Sequence, residues 1–229
     1  MQHDLHDLDV VVTGGAGALG SAIVAHLLDR GARVHVPWFG DPPRAGHERL
    51  HAAEVDLRSE QAVERFYRGL PRVWASIHAA GGFAMAPITE TSRADFDAML
   101  ALNGTTCFLC CREAVRAMRS NGGPDRGRIV NVAARPVERP VGGMVAYAAS
   151  KSVVASITQS LAEETKADGI LVNAVLPSLI DTPANRAAMP SAEHASWPKP
   201  AELAAAIAYL ASPINRLTTG ALVPVYGRV

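Results

Sequence analysis

Val10-Val11-Val12-Thr13-Gly14-Gly15-Ala16-Gly17-Ala18-Leu19-Gly20 is the stretch whose reading decides the fold. Three β-branched residues in succession suit a strand buried on both faces, and the glycines behind them suit a tight turn. The apolar residues Ile23, Val24, Leu27 and Leu28 then recur at helical spacing until Arg30-Gly31 stops the helix. In this strand–turn–helix setting Gly15-x-Gly17-x-x-Gly20 fits a dinucleotide fingerprint. Backbone free of side chains lets a pyrophosphate approach, and its charge sits at the positive end of the helix. A tight strand-to-helix turn without a ligand is the other reading of the glycines taken alone.

The same alternation continues outward from this turn. Strands are predicted at 33–36, 54–57, 73–79, 128–133, 171–175 and 221–225, with helices at 59–70, 92–120, 145–168 and 200–212. Gly122-Gly123-Pro124 breaks the helix at 92–120, Gly169 closes the one at 145–168, and Pro200 sits in the first turn of the last. The central strands are apolar on both faces. The prediction is therefore an α/β fold: a doubly wound, Rossmann-like parallel sheet of about seven strands with helices on both faces. The whole of 1–229 reads as a single domain. The proline-rich segment 177–199 shows no secondary structure and is long for a plain connection, so it reads as a lid over the strand C-terminal edge.

Composition narrows the partners. Twenty-two Lys and Arg balance twenty-two Asp and Glu, which points away from nucleic acid and from an anionic membrane and toward a small molecule. The acidic opening Met-Gln-His-Asp-Leu-His-Asp lacks a secretory pattern, and no apolar run reaches membrane-spanning length, so a cytoplasmic protein is expected. The only cysteines, Cys107, Cys110 and Cys111, lie in an apolar helical pattern and read as helix packing; a Cys107-x-x-Cys110 redox pair is the alternative. His47 and His51 have a ligand-like spacing but no third partner, so no metal site is expected.

Tyr147-Ala-Ala-Ser-Lys151 places a phenol and an ammonium four residues apart on one helical face. Such a spacing suits ordinary solvated neighbours, and it equally suits an acid with a cation beside it. In the second reading the ammonium favours the phenolate and lowers the tyrosine pKa from its reference of about 10.

With these motifs together, the chain resembles the short-chain dehydrogenase/reductase family over nearly its whole length. The signature Thr-Gly-x-x-x-[Ala/Gly]-x-Gly matches Thr13 to Gly20, which assigns Gly14, Gly15, Gly17, Ala18, Leu19 and Gly20 to the cofactor. Asp56-Leu57 resembles the acidic position that holds the adenine ring, and His78-Ala79-Ala80-Gly81 stands where the family usually has Asn-Asn-Ala-Gly. Asn103 falls at the catalytic asparagine position, Tyr147 and Lys151 fill the Tyr-x-x-x-Lys pair, and Pro177 through Thr182-Pro183 resembles the nicotinamide-side segment. The resemblance implies that NAD(H) or NADP(H) delivers hydride to a small substrate while Tyr147 delivers a proton. Lys151 would lower the tyrosine pKa and bind the nicotinamide ribose, and Asn103 would hold a water linking the lysine to solvent. It also implies a homodimer or homotetramer paired through the helices at 92–120 and 145–168.

Two departures from the family pattern matter. Thirteen residues before Tyr147, where the family places a serine that steadies the substrate oxygen, stands Ala134. Loss of such a preorganised donor costs about 3 to 4 kcal/mol of transition-state stabilisation. Three readings follow: a substrate needing no serine, such as a C=N bond or conjugated ring; a ketone reductase with a substitute donor, Arg135 or Ser178; or a non-catalytic nucleotide-binding member acting as sensor or partner subunit. Dihydropteridine reductases also lack the serine, and the chain resembles them at Ala80-Gly81-Gly82-Phe83, at Gly143-Met144, and from Asp181 through Met189-Pro190 to Ser196-Trp197. Phe83, Ala134, Arg135, Met144 and Trp197 are accordingly the candidate substrate residues. The second departure lies at Val36-Pro37-Trp38-Phe39-Gly40, where family members show their choice of NAD or NADP. It is neither acidic nor basic, Asp41 and Arg44 just beyond oppose each other, and Trp38 either stacks on adenine or packs beneath it, so the preference stays open.

Overall fold

The computed structural model describes residues 4–43 and 46–229. Within them β1 (Asp9–Thr13) carries Val10 and Val12 into one core and Val11 into the other, so the valine run serves both faces of a sheet. Around it stand α1 (Ala18–Asp29), β2 (Arg33–Trp38), β3 (Leu50–Glu54), α2 (Glu60–Arg68), β4 (Ala75–His78), α3 (Arg93–Met99) and α4 (Thr106–Arg119). They are followed by β5 (Gly127–Val132), α5 (Val145–Thr165), β6 (Ile170–Pro177), α6 (Pro183–Ala188), α7 (Pro200–Ala211) and β7 (Leu222–Val225). The seven strands are ordered β3-β2-β1-β4-β5-β6-β7 and every neighbouring pair is parallel. This is the doubly wound sheet that the sequence predicts.

Helices α1 and α7 pack together on the face of Val10, Val12, Val34 and Val130, contributing Ile23, Leu27 and Ile207. Residues of α2, α4 and α5 cover the other face, with Tyr67, Cys107, Cys110, Cys111 and Val154 against Val11 and Ile129. The thiols are thus buried in helix packing, as read. Chain order reverses between β1 and β4, and a ligand of such a sheet binds outside the strand C-termini at that switch point.

Three elements differ from expectation. β3 covers Leu50–Glu54 rather than 54–57; it is an edge strand, largely exposed, and has no apolar alternation to reveal it. The helix at 92–120 is interrupted by a π-helical turn, Leu100–Thr105, between α3 and α4. The segment 177–199 holds α6 and a 3₁₀ turn, His194–Ser196. Pro183 there begins a helix at a position where its missing N–H has no intrahelical partner to lose.

Candidate active site

The glycine turn lies at the switch point. Gly14 has φ +69°, and a Cβ on it would come within 2.7 Å of the Ala80 nitrogen, where the end of β4 crosses. Ala80 N–H donates to Thr13 Oγ1 at 3.1 Å, locking the two strand ends together. A Cβ on Gly20 would approach the Gly14 carbonyl oxygen to 2.0 Å, so these two glycines are required by the protein's own packing. Gly17 is different. It is the extended N-cap of α1 with no side-chain cap, and a Cβ there would meet only Gly14 O, at 3.4 Å. The helix therefore opens with bare backbone donors toward the cleft, a cradle that fits the pyrophosphate of a nicotinamide dinucleotide.

Beyond the end of β2, Trp38 is half-buried and Phe39 is exposed. Arg58, which the sequence reading passed over, lies 5.6 Å above the Phe39 ring. It also grips Asp56 with two hydrogen bonds, Nε to Oδ1 at 2.9 Å and Nη2 to Oδ2 at 3.0 Å. The Asp56 carboxyl is thereby held below its ordinary pKa, chiefly by these hydrogen bonds from Arg58. Its position two residues after Asp56 was the available signal. The Leu57 side chain packs into the α2–α4–α5 core. Arg44 lies outside the described residues.

The π turn determines where Asn103 points. Six residues of wider helix rotate it inward, as such turns often do at functional positions. Its Nδ2 donates to the Gly82 carbonyl at 3.1 Å and to Ser150 Oγ at 3.0 Å, and its Oδ1 accepts from Gly82 N–H at 3.0 Å. Ser150 in turn donates to the Tyr147 carbonyl at 2.7 Å. Both amide hydrogens are thus engaged with protein, and the side chain ties the Gly81–Phe83 segment to α5 where the sequence reading gave it a water. A Cβ on Gly81 would meet Asn103 Oδ1 at 2.4 Å and Lys151 Nζ at 3.4 Å, which explains the glycine.

Lys151 is buried and donates to the Val132 carbonyl at 2.8 Å. Its Nζ lies 6.0 Å from the centre of the Tyr147 ring. Burial pushes the ammonium down to about 8 and the phenol up to about 12. The expectation that the cation lowers the tyrosine is therefore corrected for this structure: the cation lies over the ring, and desolvation outweighs attraction at both groups. The consequence is a phenol that keeps its proton across the working range. Phe83, 59% exposed, stands edge-on against that ring with centroids 4.9 Å apart and planes at 79°.

Ala134 is buried and extended just after β5, and no hydroxyl replaces it locally. The proposed substitute donors are engaged elsewhere. The Arg135 guanidinium lies 5.4 Å over the Tyr226 ring, and the Ser178 hydroxyl donates to the Tyr226 carbonyl at 2.7 Å. Trp197, expected near the substrate, is buried against His194 with ring centroids 4.7 Å apart. Met144 is half-buried at the start of α5, Pro177 ends β6, and Thr182 caps α6 by accepting from Asn185 N–H at 3.2 Å. The largest surface cavity, about 580 Å³ between α2 and α4 beside Arg72 and Ser120, lies at the opposite edge of the sheet and bears on none of these residues.

What this edge is built for is hydride chemistry on a dinucleotide: the chain is an NAD(P)-dependent oxidoreductase. More narrowly, the short chain dehydrogenase family matches residues 9–193, and the chain belongs to that family. It is similar to the cis-4-hydroxycyclohexanecarboxylate dehydrogenase of Sinomonas cyclohexanicum, at 32% identity over 95% of this chain and 94% of that one. It is also similar to the cyclic-di-GMP-binding biofilm dispersal mediator protein of Escherichia coli, at 31% identity over 93% of each. Among solved structures, the 3-ketoacyl-(acyl-carrier-protein) reductase from Brucella melitensis complexed with NADH aligns with TM-score 0.85 and 25% identity, covering 98% of this chain and 99% of that one. No helix among the described residues is long and apolar enough to cross a membrane.

Proposed function

We propose that this oxidoreductase reduces a small substrate at a ketone, C=N bond or conjugated ring, with Tyr147 as the proton donor. The observation that carries the reading is the Tyr147 hydroxyl group itself: a phenol held protonated by burial, flanked by Phe83 and backed by Lys151. A bound nicotinamide supplies the hydride. The chain's own part is to hold it along Gly14–Gly20, Trp38, Asp56, Ala79–Gly81, Pro177 and Thr182, with Lys151 toward the ribose. Tyr147 gives its proton to the substrate atom that gains charge, and Asn103 fixes the wall of the site through Gly82.

With Ala134 at the strand end, the substrate side is bounded by apolar groups, Phe83 and Met144 among them. This favours a flat substrate whose developing charge is delocalised, the feature that the pteridine-reductase-like positions share. The segment 177–199 acts as the lid of the one domain, its base tied by Asp181 N–H to the Pro198 carbonyl at 2.9 Å. The outer faces of α4 and α5, where Phe108 and Val153 are exposed, suit pairing of copies into a dimer or tetramer in the cytoplasm. A second reading, a nucleotide-binding member working as sensor or partner subunit, draws on the likeness to the cyclic-di-GMP-binding protein and on Ala134.

Parallel fluorescence titrations with NADH and NADPH, followed by turnover on ketones, imines and quinonoid pterins, separate the two. Tyr147→Phe is expected to lower turnover by about 10² to 10⁴ while cofactor affinity holds, since it deletes one proton and little volume. Unchanged turnover in that variant refutes the assignment of the proton, and binding without any turnover favours the sensor.

A further inference from the structure

The structure gathers a second set of reactive side chains that the reduction does not use. His78 ends β4, and Cys107 and Cys111 lie one turn apart on α4 above it. Their ligand atoms all lie within 4.8 Å of one another: Cys107 Sγ to Cys111 Sγ is 3.9 Å and Cys111 Sγ to His78 Nδ1 is 3.4 Å. The three are 4%, 6% and 1% exposed in that order. Cys110, their neighbour, is not part of this set.

The distances argue against a disulfide and for a metal ion. Residues four apart on a helix have Cβ atoms about 5–6 Å apart, whereas a disulfide needs about 3.5–4.5 Å. A tetrahedral ion with bonds of about 2.3 Å to sulfur and about 2.0 Å to nitrogen needs an S···S edge of about 3.8 Å and an S···N edge of about 3.5 Å. Both printed edges fall close to those values without movement of the helix.

Charge and orientation agree. Two thiolates and a neutral imidazole cancel a divalent cation, so the loaded site has no net charge to bury. The far nitrogen of the imidazole, Nε2, is 2.8 Å from Ser76 Oγ, and that hydroxyl is 2.7 Å from the Tyr67 hydroxyl. This is the outer support that fixes a ligating histidine, with Nδ1 turned to the sulfurs. Asn131 Oδ1, 2.8 Å from Nδ1 and 3.5 Å from Cys111 Sγ, offers a neutral oxygen on the open side, and its amide is held by Thr158 at 2.8 Å.

We propose that His78, Cys107 and Cys111 form a buried site for a thiophilic divalent cation, zinc before others, which clamps the end of β4 to α4. Binding releases the two thiol protons. Because Ala79–Gly81 follow His78 directly, the clamp bears on the cradle while leaving Tyr147 and Lys151 untouched.

The test uses the full chain expressed in zinc- and in cobalt-supplemented medium, without a histidine tag. Metal analysis is expected to give stoichiometric zinc, and the cobalt form the thiolate charge-transfer band and strong visible bands of a tetrahedral ion. Cys107→Ser and Cys111→Ser should each weaken zinc affinity at least about tenfold, and Cys110→Ser should leave it unchanged. His78→Asn, which keeps a polar side chain at the strand end, serves if a serine variant fails to fold and should lose the metal likewise. Substoichiometric metal, a cobalt spectrum without the charge-transfer band, or equal loss in Cys110→Ser overturns the site.

Discussion

Asn103 and Gly82 bond to each other twice, the side-chain amide pairing with the backbone as one peptide pairs with the next. The amide is therefore a structural clamp on the loop beneath the proton donor. Asn103→Asp keeps the shape but replaces two donated hydrogen bonds with lone pairs facing lone pairs. Thermal unfolding is expected to show a loss of about 1 to 3 kcal/mol, with turnover falling alongside. A melting curve that matches the parent's refutes the clamp.

Lys151 provides a pH signature. Its folded pKa is depressed from 10.5 to about 8, so above pH 8 the folded chain sheds a proton that the unfolded chain keeps. The unfolded state then binds more protons, and stability rises with pH between 8 and 10.5; the gain is complete above 10.5 and lost as pH falls through 8. Subtracting the pH–stability curve of Lys151→Met from the parent's should isolate this rise. A flat difference across that window means the ammonium is not depressed.

Ala134 is buried with its carbonyl accepting from Val137 N–H at 3.1 Å, which a serine there preserves. Ala134→Ser is expected to raise kcat on simple ketones at least about tenfold by adding a donor for the oxyanion, with little change on imines or conjugated rings. Assays of both proteins on one substrate panel measure this, and an equal gain on every substrate would contradict an oxygen-specific role.

Arg128 is fully buried at the start of β5, its guanidinium donating to the carbonyls of Asn215 at 2.9 Å and Gly127 at 2.8 Å and lying 5.0 Å from the Trp74 ring centre. Arg128→Met fills the space but leaves both carbonyls without that donor. Urea unfolding is expected to show a loss of about 1 to 3 kcal/mol with cofactor affinity unchanged. Equal midpoints would show that relief of desolvation offsets the lost hydrogen bonds.

The parallel sheet was legible because Val10–Val12 and the glycines behind them can do little else, and the Tyr147/Lys151 spacing was legible because a helix puts such residues on one face. What escaped depends on tertiary surroundings. The edge strand β3 has no buried face to pattern it, and the π turn at 100–105 leaves no compositional mark. The pKa directions of Tyr147 and Lys151 follow from burial, which spacing does not encode. Arg135 and Ser178 were reasonable donors in the sequence, and only the placement of Tyr226 shows them occupied.

The π turn also sets the rotational phase of everything after it. An α-helix advances about 100° per residue, so deleting one residue from Leu100–Thr105 would leave a regular helix and swing α4 by about that angle. Cys107, Cys111 and Val115 would then turn off the core while Phe108 and Arg112 were driven toward it. One surplus residue thus indexes the asparagine and the buried thiols together, and neither can be re-aimed without misaligning the other.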